Sequence, residues 1–224
     1  MSRTVAREIY VFDAYGTLFN LHAAAEKHRD AIGAEWQRFS HTWRTKHIEY
    51  TWHTSLVGRR DTFWRLAERS LDYAIAVHGL DVSAATRAAL MAAYRRMQAY
   101  PEVREVLAAL RGRGAQTAIL SNGDPDMLTD AIAAAGLDGT LDAVISVAEA
   151  GVFKPAPAVY KLATDRFGCA PVEISFQSSN RWDIAAAKAA GFRCVWINRT
   201  NAPDEYPDLA PDRVVPDLRA LLGG

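Results

Sequence analysis

The sequence predicts an α/β fold: a parallel sheet with helices on both faces, and an all-helical segment inserted after the first strand. Two observations carry this. From Pro101 onward, short apolar runs alternate with amphipathic stretches, the pattern of strands joined by crossover helices. Between Leu21 and Ala99 there is almost no strand signal. Its only breakers are Gly33, Gly58 and Gly79, which divide an Ala-, Arg-, Glu-, Trp- and Leu-rich stretch into helical pieces. The chain has 224 residues, about one and a half times a typical domain. The expected organisation is therefore one core (1–18 and 100–224) interrupted by a helical cap (19–99).

In chain order, Ile9-Tyr-Val-Phe12 is a short apolar run that reads as a buried strand, and Asp13-Ala-Tyr-Gly-Thr17 as the turn behind it. After the helical stretch, the pattern predicts a helix over 103–111 and a strand over 116–120. A helix over 126–135 follows, closed by Gly136, then a strand over 143–147. Next come a helix over 159–167, a strand over 173–177, and a helix over 184–190 closed by Gly191. Arg193 to Ile197 is the last clear strand, with Val214-Val215 a weaker one. Asp124 before Pro125 reads as a helix N-cap with proline at the first helical position. The aromatics Trp36, Phe39, Trp43, Tyr50 and Trp52 recur at helical spacing and are expected mostly in the core of the cap.

Composition narrows the function classes. Half of the residues are hydrophobic and 23% are charged, enough apolar material for a core and unlike a disordered chain. Twenty-six basic residues balance twenty-six acidic ones, without the basic excess expected of a nucleic-acid binder. The two cysteines, Cys169 and Cys194, match no metal or redox spacing, which suggests a reducing, cytoplasmic setting. Met1 to Ile9 has no apolar run behind it, so no signal peptide is expected, and no apolar run is long enough for a membrane span. The six histidines lack metal-ligand spacing and read as surface or packing residues.

In an open parallel sheet, ligands bind beyond the carboxyl ends of the strands. Four polar segments fall there: Asp13 to Thr17, Ser121-Asn122-Gly123-Asp124, Lys154-Pro155, and Ser178-Ser179-Asn180-Arg181-Trp182-Asp183. Taken singly, Asp13 could be a strand-end turn residue, Lys154 a solvated lysine and Arg44 part of a charged helix surface. Their convergence argues for a site.

In combination and in order, Asp13-x-Tyr-Gly-Thr-Leu18, Ser121-Asn-Gly123, Lys154-Pro155 and Ser178-Ser-Asn-x-Trp-Asp183 resemble the four motifs of the haloacid dehalogenase superfamily. Within it they are similar to the (S)-2-haloacid dehalogenases. The cap segment from Trp43 to Trp52 and the stretch Trp196-Ile-Asn-Arg-Thr200 carry the same resemblance. It implies a Rossmann-like core with a helical cap, often as a homodimer. It also implies hydrolysis of a small-molecule 2-haloacid by water, releasing halide, with no cofactor and no metal.

By that resemblance Asp13 is the nucleophile, and Asp183 with Lys154 activates the water that hydrolyses its ester. Ser121 and Asn122 hold the substrate carboxylate, and Arg44 and Asn122 receive the halide. Thr17, Ser178 and Asn180 orient the carboxylates, Tyr160 supports the lysine side, and Ile48, Phe63 and Trp182 wall the C2 substituent. Phosphatases of the superfamily carry a second aspartate at the position of Tyr15, where it protonates a departing alkoxide. A phenol of pKa about 10 is a poor general acid for that step, whereas a halide leaves without a proton. Where those phosphatases hold Mg²⁺ with further carboxylates, this chain has Ser178-Ser179-Asn180. Two other readings stay open: an Mg²⁺-dependent phosphatase and a non-catalytic small-anion binder. Asp124, Gln177 and Arg181 depart from the family pattern and bear on substrate range.

Overall fold

A computed structural model describes residues 8–223; the expectation about a leader at the start of the chain falls largely outside them. Six strands form one sheet: β1 (Ile9–Phe12), β2 (Gln116–Ser121), β3 (Ala143–Ser146), β4 (Ile174–Ser178), β5 (Arg193–Ile197) and β6 (Arg213–Val215). Their order is β3-β2-β1-β4-β5-β6, and every pairing is parallel. β1 is therefore central, with Ile9 opposite Gln116 on one side and Ile174 on the other. A strand covered on both faces has no polar side to alternate with. Accordingly, every residue of β4 is buried, and so is every residue of β2 after the first. Val144 and Val214 are exposed on the two edge strands.

The covering helices are α6 (Val103–Gly112), α7 (Pro125–Ala134), α8 (Pro157–Phe167) and α9 (Arg181–Ala189). Two predicted boundaries move for identifiable reasons. The expected strand over 143–147 stops at Ser146, whose hydroxyl accepts from the Ala148 amide and starts a 3₁₀ turn at Val147. The helix expected from Ile184 begins at Arg181, because the Asn180 carbonyl already accepts from the amides of Asp183 and Ile184. Charged residues in that first turn hid the helical period, so Trp182 and Asp183 are helical rather than part of a polar loop.

Between β1 and α6 lie α1 (Ala23–Lys27), α2 (Arg29–Ile32), α3 (Trp36–Leu56), α4 (Phe63–Val77) and α5 (Ala84–Arg95). α4 buries Phe63, Leu66, Ala67, Ser70, Leu71 and Ala74, a stripe at the three- and four-residue spacing of one helical face, and packs along α3. Each fully buried Leu or Phe in that stripe contributes about 1.5–3 kcal/mol. Trp43 crosses the seam to donate to the Ala67 carbonyl at 3.0 Å. Of the aromatics expected in this helical core, Phe39 and Trp43 are buried there. Trp52 differs. It meets Trp182 of α9 edge-on at 5.5 Å, so it seals the seam between the helical segment and the sheet domain.

His47 sits in the middle of this packing, its Nε2 3.0 Å from the Phe63 carbonyl and its Nδ1 3.0 Å from the Tyr94 hydroxyl. A carbonyl can only accept, so Nε2 carries the proton and Nδ1 accepts from Tyr94. Burial lowers the His47 pKa to about 3. The unfolded chain then binds a proton that the native state refuses, so stability present above about pH 6.5 is lost as pH falls toward 3. Urea unfolding should show His47→Gln losing less stability than the parent between pH 7 and 4.5, by about 2–3 kcal/mol. Equal losses would mean that His47 takes up its proton without disturbing the fold.

Candidate active site

The chain leaves β1 at Phe12, and the Asp13 amide still donates to the Gln177 carbonyl at 2.8 Å, carrying the β1–β4 pairing one residue further. Asp13 is thus fixed by its backbone at the sheet's centre. Its Oδ1 accepts from Lys154 Nζ at 3.1 Å, and Lys154 Nζ also donates to Asp183 Oδ2 at 2.8 Å. The other Asp13 oxygen accepts from Thr17 Oγ1 at 3.0 Å and Asn180 Nδ2 at 2.9 Å. Asp183 Oδ1 accepts from the Tyr160 hydroxyl at 2.7 Å. Two buried carboxylates therefore share one buried ammonium, and every carboxylate oxygen has a donor.

The electrostatics follow from that sharing. Burial opposes the charge of Lys154, but Asp13 and Asp183 outweigh it and raise the lysine pKa. Burial raises the Asp183 carboxyl, with Lys154 pulling it down and Asp13 pushing it up. Burial also drives the Tyr15 phenol well above its usual value, helped by Tyr94, Asp124 and Asp13. Tyr15 is neutral at any ordinary pH, and its hydroxyl has no partner among the described residues. Gly123 makes room for the ring: a Cβ there would lie 2.8 Å from Tyr15 Cε2.

Most of the residues singled out by sequence come together here. Arg44 descends from α3 and donates to Asn180 Oδ1. Gly16, at φ +91°, passes beneath its guanidinium, where a Cβ would come within 3.5 Å of Nη2. Ser178 accepts from the Asn180 amide at 3.1 Å, which shapes the turn that presents Asn180. Phe63 lies 5.4 Å from the Tyr15 ring. Trp182 lines a cavity of about 300 Å³ together with Arg44 and Asn180. Ile48 lies one turn beyond Arg44 on the same side of α3 and is half-buried.

Other placements differ in detail. Tyr160, expected on the lysine side, does not touch the ammonium but donates to Asp183, the carboxylate that Lys154 holds. Ser121 accepts from the Gly123 amide at 3.1 Å, and Asn122 Oδ1 accepts from the Lys154 amide at 2.9 Å, so both carry part of the loop geometry. Asp124 does occupy the N-cap position of α7, but its carboxylate makes no bond to that helix. It accepts from the Phe63 and Trp64 amides of α4, at 3.1 and 2.8 Å.

Sequence reasoning missed three supports. Arg199 donates to the Thr17 carbonyl at 3.0 Å, lies over the Tyr100 ring and pairs with Glu102. The Ser179 amide donates to Thr17 Oγ1 at 2.8 Å, so that hydroxyl relays order from backbone to Asp13. Ser55 accepts from the Phe153 amide at 3.0 Å, tying the end of α3 to the residue before Lys154. Arg199 and Ser179 stood in segments that invited attention; Ser55 did not.

The residues present do not fit a divalent metal ion between the two aspartates. Both Asp183 oxygens are engaged by Lys154 and Tyr160, and Asn180 turns its amide hydrogens toward Asp13 and its oxygen toward Arg44. Among the described residues, no group of three or more His, Cys, Asp or Glu side chains converges.

A family model for haloacid dehalogenase-like hydrolases matches residues 8–191. (S)-2-haloacid dehalogenase 1 of Pseudomonas sp. (strain CBS-3) is 44% identical over 203 residues, covering 91% of this chain and 89% of that one. A crystal structure of an L-2-haloacid dehalogenase matches at TM-score 0.94 and 39% identity, covering 97% of this chain and 98% of the other. The Xanthobacter autotrophicus L-2-haloacid dehalogenase with chloropropionic acid covalently bound matches at TM-score 0.85 and 36% identity, over 96% of both chains.

Removing the shared ammonium leaves two buried carboxylates without a counter-charge. Lys154→Met should therefore lose about 3–5 kcal/mol in urea unfolding at pH 8. The loss should shrink at pH 5, because a buried carboxyl with a raised pKa protonates there before the unfolded one does. A pH-independent loss would place the damage in packing rather than charge.

Proposed function

The chain belongs to the haloacid dehalogenase-like hydrolases, and from that premise we propose that it hydrolyses short (S)-2-haloalkanoic acids to (R)-2-hydroxyalkanoic acids. The observation that carries this reading is the Lys154 bridge between Asp13 and Asp183. It supplies a nucleophile and a water-activating base of opposite task within one hydrogen-bonded unit.

In the first step an Asp13 oxygen attacks C2 of the substrate from the side opposite the halogen. A C–O bond forms, the C–halogen bond breaks, and the halide leaves with the bonding electrons toward Arg44 and Asn122. In the second, Asp183 takes a proton from water as the hydroxide adds to the ester carbonyl of Asp13. Collapse breaks the bond between the Asp13 carbonyl carbon and the C2 oxygen. That oxygen takes the proton held by Asp183 and leaves as the 2-hydroxyacid, while the Asp13 carboxyl gives its proton to solvent and is a carboxylate again. C2 is displaced once, so its configuration inverts.

Two negative charges about 4 Å apart repel by about 4 kcal/mol at an effective dielectric near 20. Lys154 and Arg44 offset that cost when the nucleophile meets an anionic substrate, with Ser121 and Asn122 receiving the substrate carboxylate. Thr17 and Asn180 hold the second Asp13 oxygen, and Ser178 holds Asn180. The protonated Tyr15 has no leaving-group oxygen to serve. With Ile48, Phe63 and Trp182 it walls the C2 substituent. The helices from Ala23 to Arg95 act as the cap.

Among the described residues, no helix is long and apolar enough to cross a membrane. We read the protein as cytoplasmic from its two free cysteines, and as a homodimer from its likeness to the family.

With excess EDTA present, halide should be released from (S)-2-chloropropionate and not from its mirror image, giving (R)-lactate. Asp13→Asn should lower turnover by at least about a thousandfold while leaving the unfolding transition in place. Racemic lactate would sink the single displacement at C2, and full activity in Asp13→Asn with deamidation excluded would sink Asp13 as the nucleophile.

A further inference from the structure

We propose that Asp124 is a positioning residue that sets how large a C2 substituent the site accepts, by clamping the first turn of α4 onto the sheet domain. The proposal rests on the dehalogenase reading above.

The first amides of a helix have no partner within it, and those of α4 are satisfied from two directions. Asp124 takes the Phe63 and Trp64 amides, one with each carboxylate oxygen, while the Thr62 hydroxyl takes the Arg65 amide at 3.1 Å. The carboxylate thus sits on the positive end of the α4 dipole, where a negative charge is favoured. This cap reaches across sixty residues, from the loop that follows β2, and the residue it seizes is Phe63.

On the dehalogenase reading that ring is part of the wall around the C2 substituent. It lies 5.4 Å from Tyr15, 4.0 Å from His47 and 6.3 Å from Phe153. A shift of the Phe63 backbone is a shift of this wall. A cavity of about 150 Å³, lined by Thr62, Asn122, Asp124 and Phe153, adjoins the clamp and gives the α4 terminus room to withdraw. A second fastening between the same helices does not involve Asp124. Arg95 lies over the Trp64 ring and pairs with Asp126 and Asp130 of α7, so loss of the clamp loosens the first turn of α4 without detaching the helix.

The test compares the parent with Asp124→Ala and Asp124→Asn, reading hydrogen exchange at the Phe63 and Trp64 amides and kcat/KM for chloroacetate against (S)-2-chlorobutanoate. A methylene in an apolar pocket is worth about tenfold or more. In Asp124→Ala both amides should lose protection, and the selectivity ratio should move about tenfold toward the four-carbon acid. Asp124→Asn, with one acceptor left, should fall between, and it carries the test if the alanine variant does not fold. An active parent with a ratio unmoved in the variants, or amides that stay protected, overturns the proposal alone. A parent that releases no halide from either acid overturns the reaction reading, and the selectivity claim with it.

Discussion

The Lys154 ammonium, held between Asp13 and Asp183, is the contact on which the rest of the structure depends. A lone charge buried this deeply would not persist, and neither would either carboxylate. Each of the three must arrive with the others, and each comes from a different part of the chain: the end of β1, the loop before α8 and the first turn of α9. The surrounding polar residues are best understood as serving that triad. Thr17, Asn180 and Tyr160 fill the lone pairs that one ammonium cannot reach. Asn122, Ser178 and Arg199 hold those residues or the backbone beneath them.

The helical segment between β1 and α6 meets this centre through few polar contacts. Arg44 reaches Asn180, Ser55 reaches the residue before Lys154, and Asp124 takes the start of α4. Between them lies apolar packing, with Phe63 against Tyr15 and Trp52 against Trp182. One side of the reacting centre is thus rigid and charged, and the other apolar. On the proposed reading the first side carries the chemistry, joined by Arg44 from α3, and the second carries the selectivity.

The division explains what could be read from the sequence. The parallel sheet was readable because its inner strands are buried on both faces and alternate with helices, and the helical segment because it holds no proline and only three glycines. Asp13, Lys154 and Asp183 were readable because their residue types are anomalous at apolar strand ends and fit the motifs of a known family. The direction in which each polar side chain turns was not. Asp124 has the sequence of an N-cap for its own helix, yet caps another, because only the folded arrangement brings α4 within reach. Tyr160 gives no hint in sequence that its hydroxyl meets Asp183. The start of α9 was obscured because Arg181 and Asp183 interrupt the apolar period just where the helix begins.

The placement of β1 has a consequence for biosynthesis. Among the described residues it is the first strand in the chain and the central one, and Ile9 cannot pair with Ile174 until β4 has been translated. At ribosomal rates of about 5–20 residues per second, the apolar Ile9–Phe12 segment waits on the order of ten seconds with one edge open. During that interval the helices that follow it can fold locally, because their contacts are close in sequence, so the cap side takes shape before the centre of the sheet is closed.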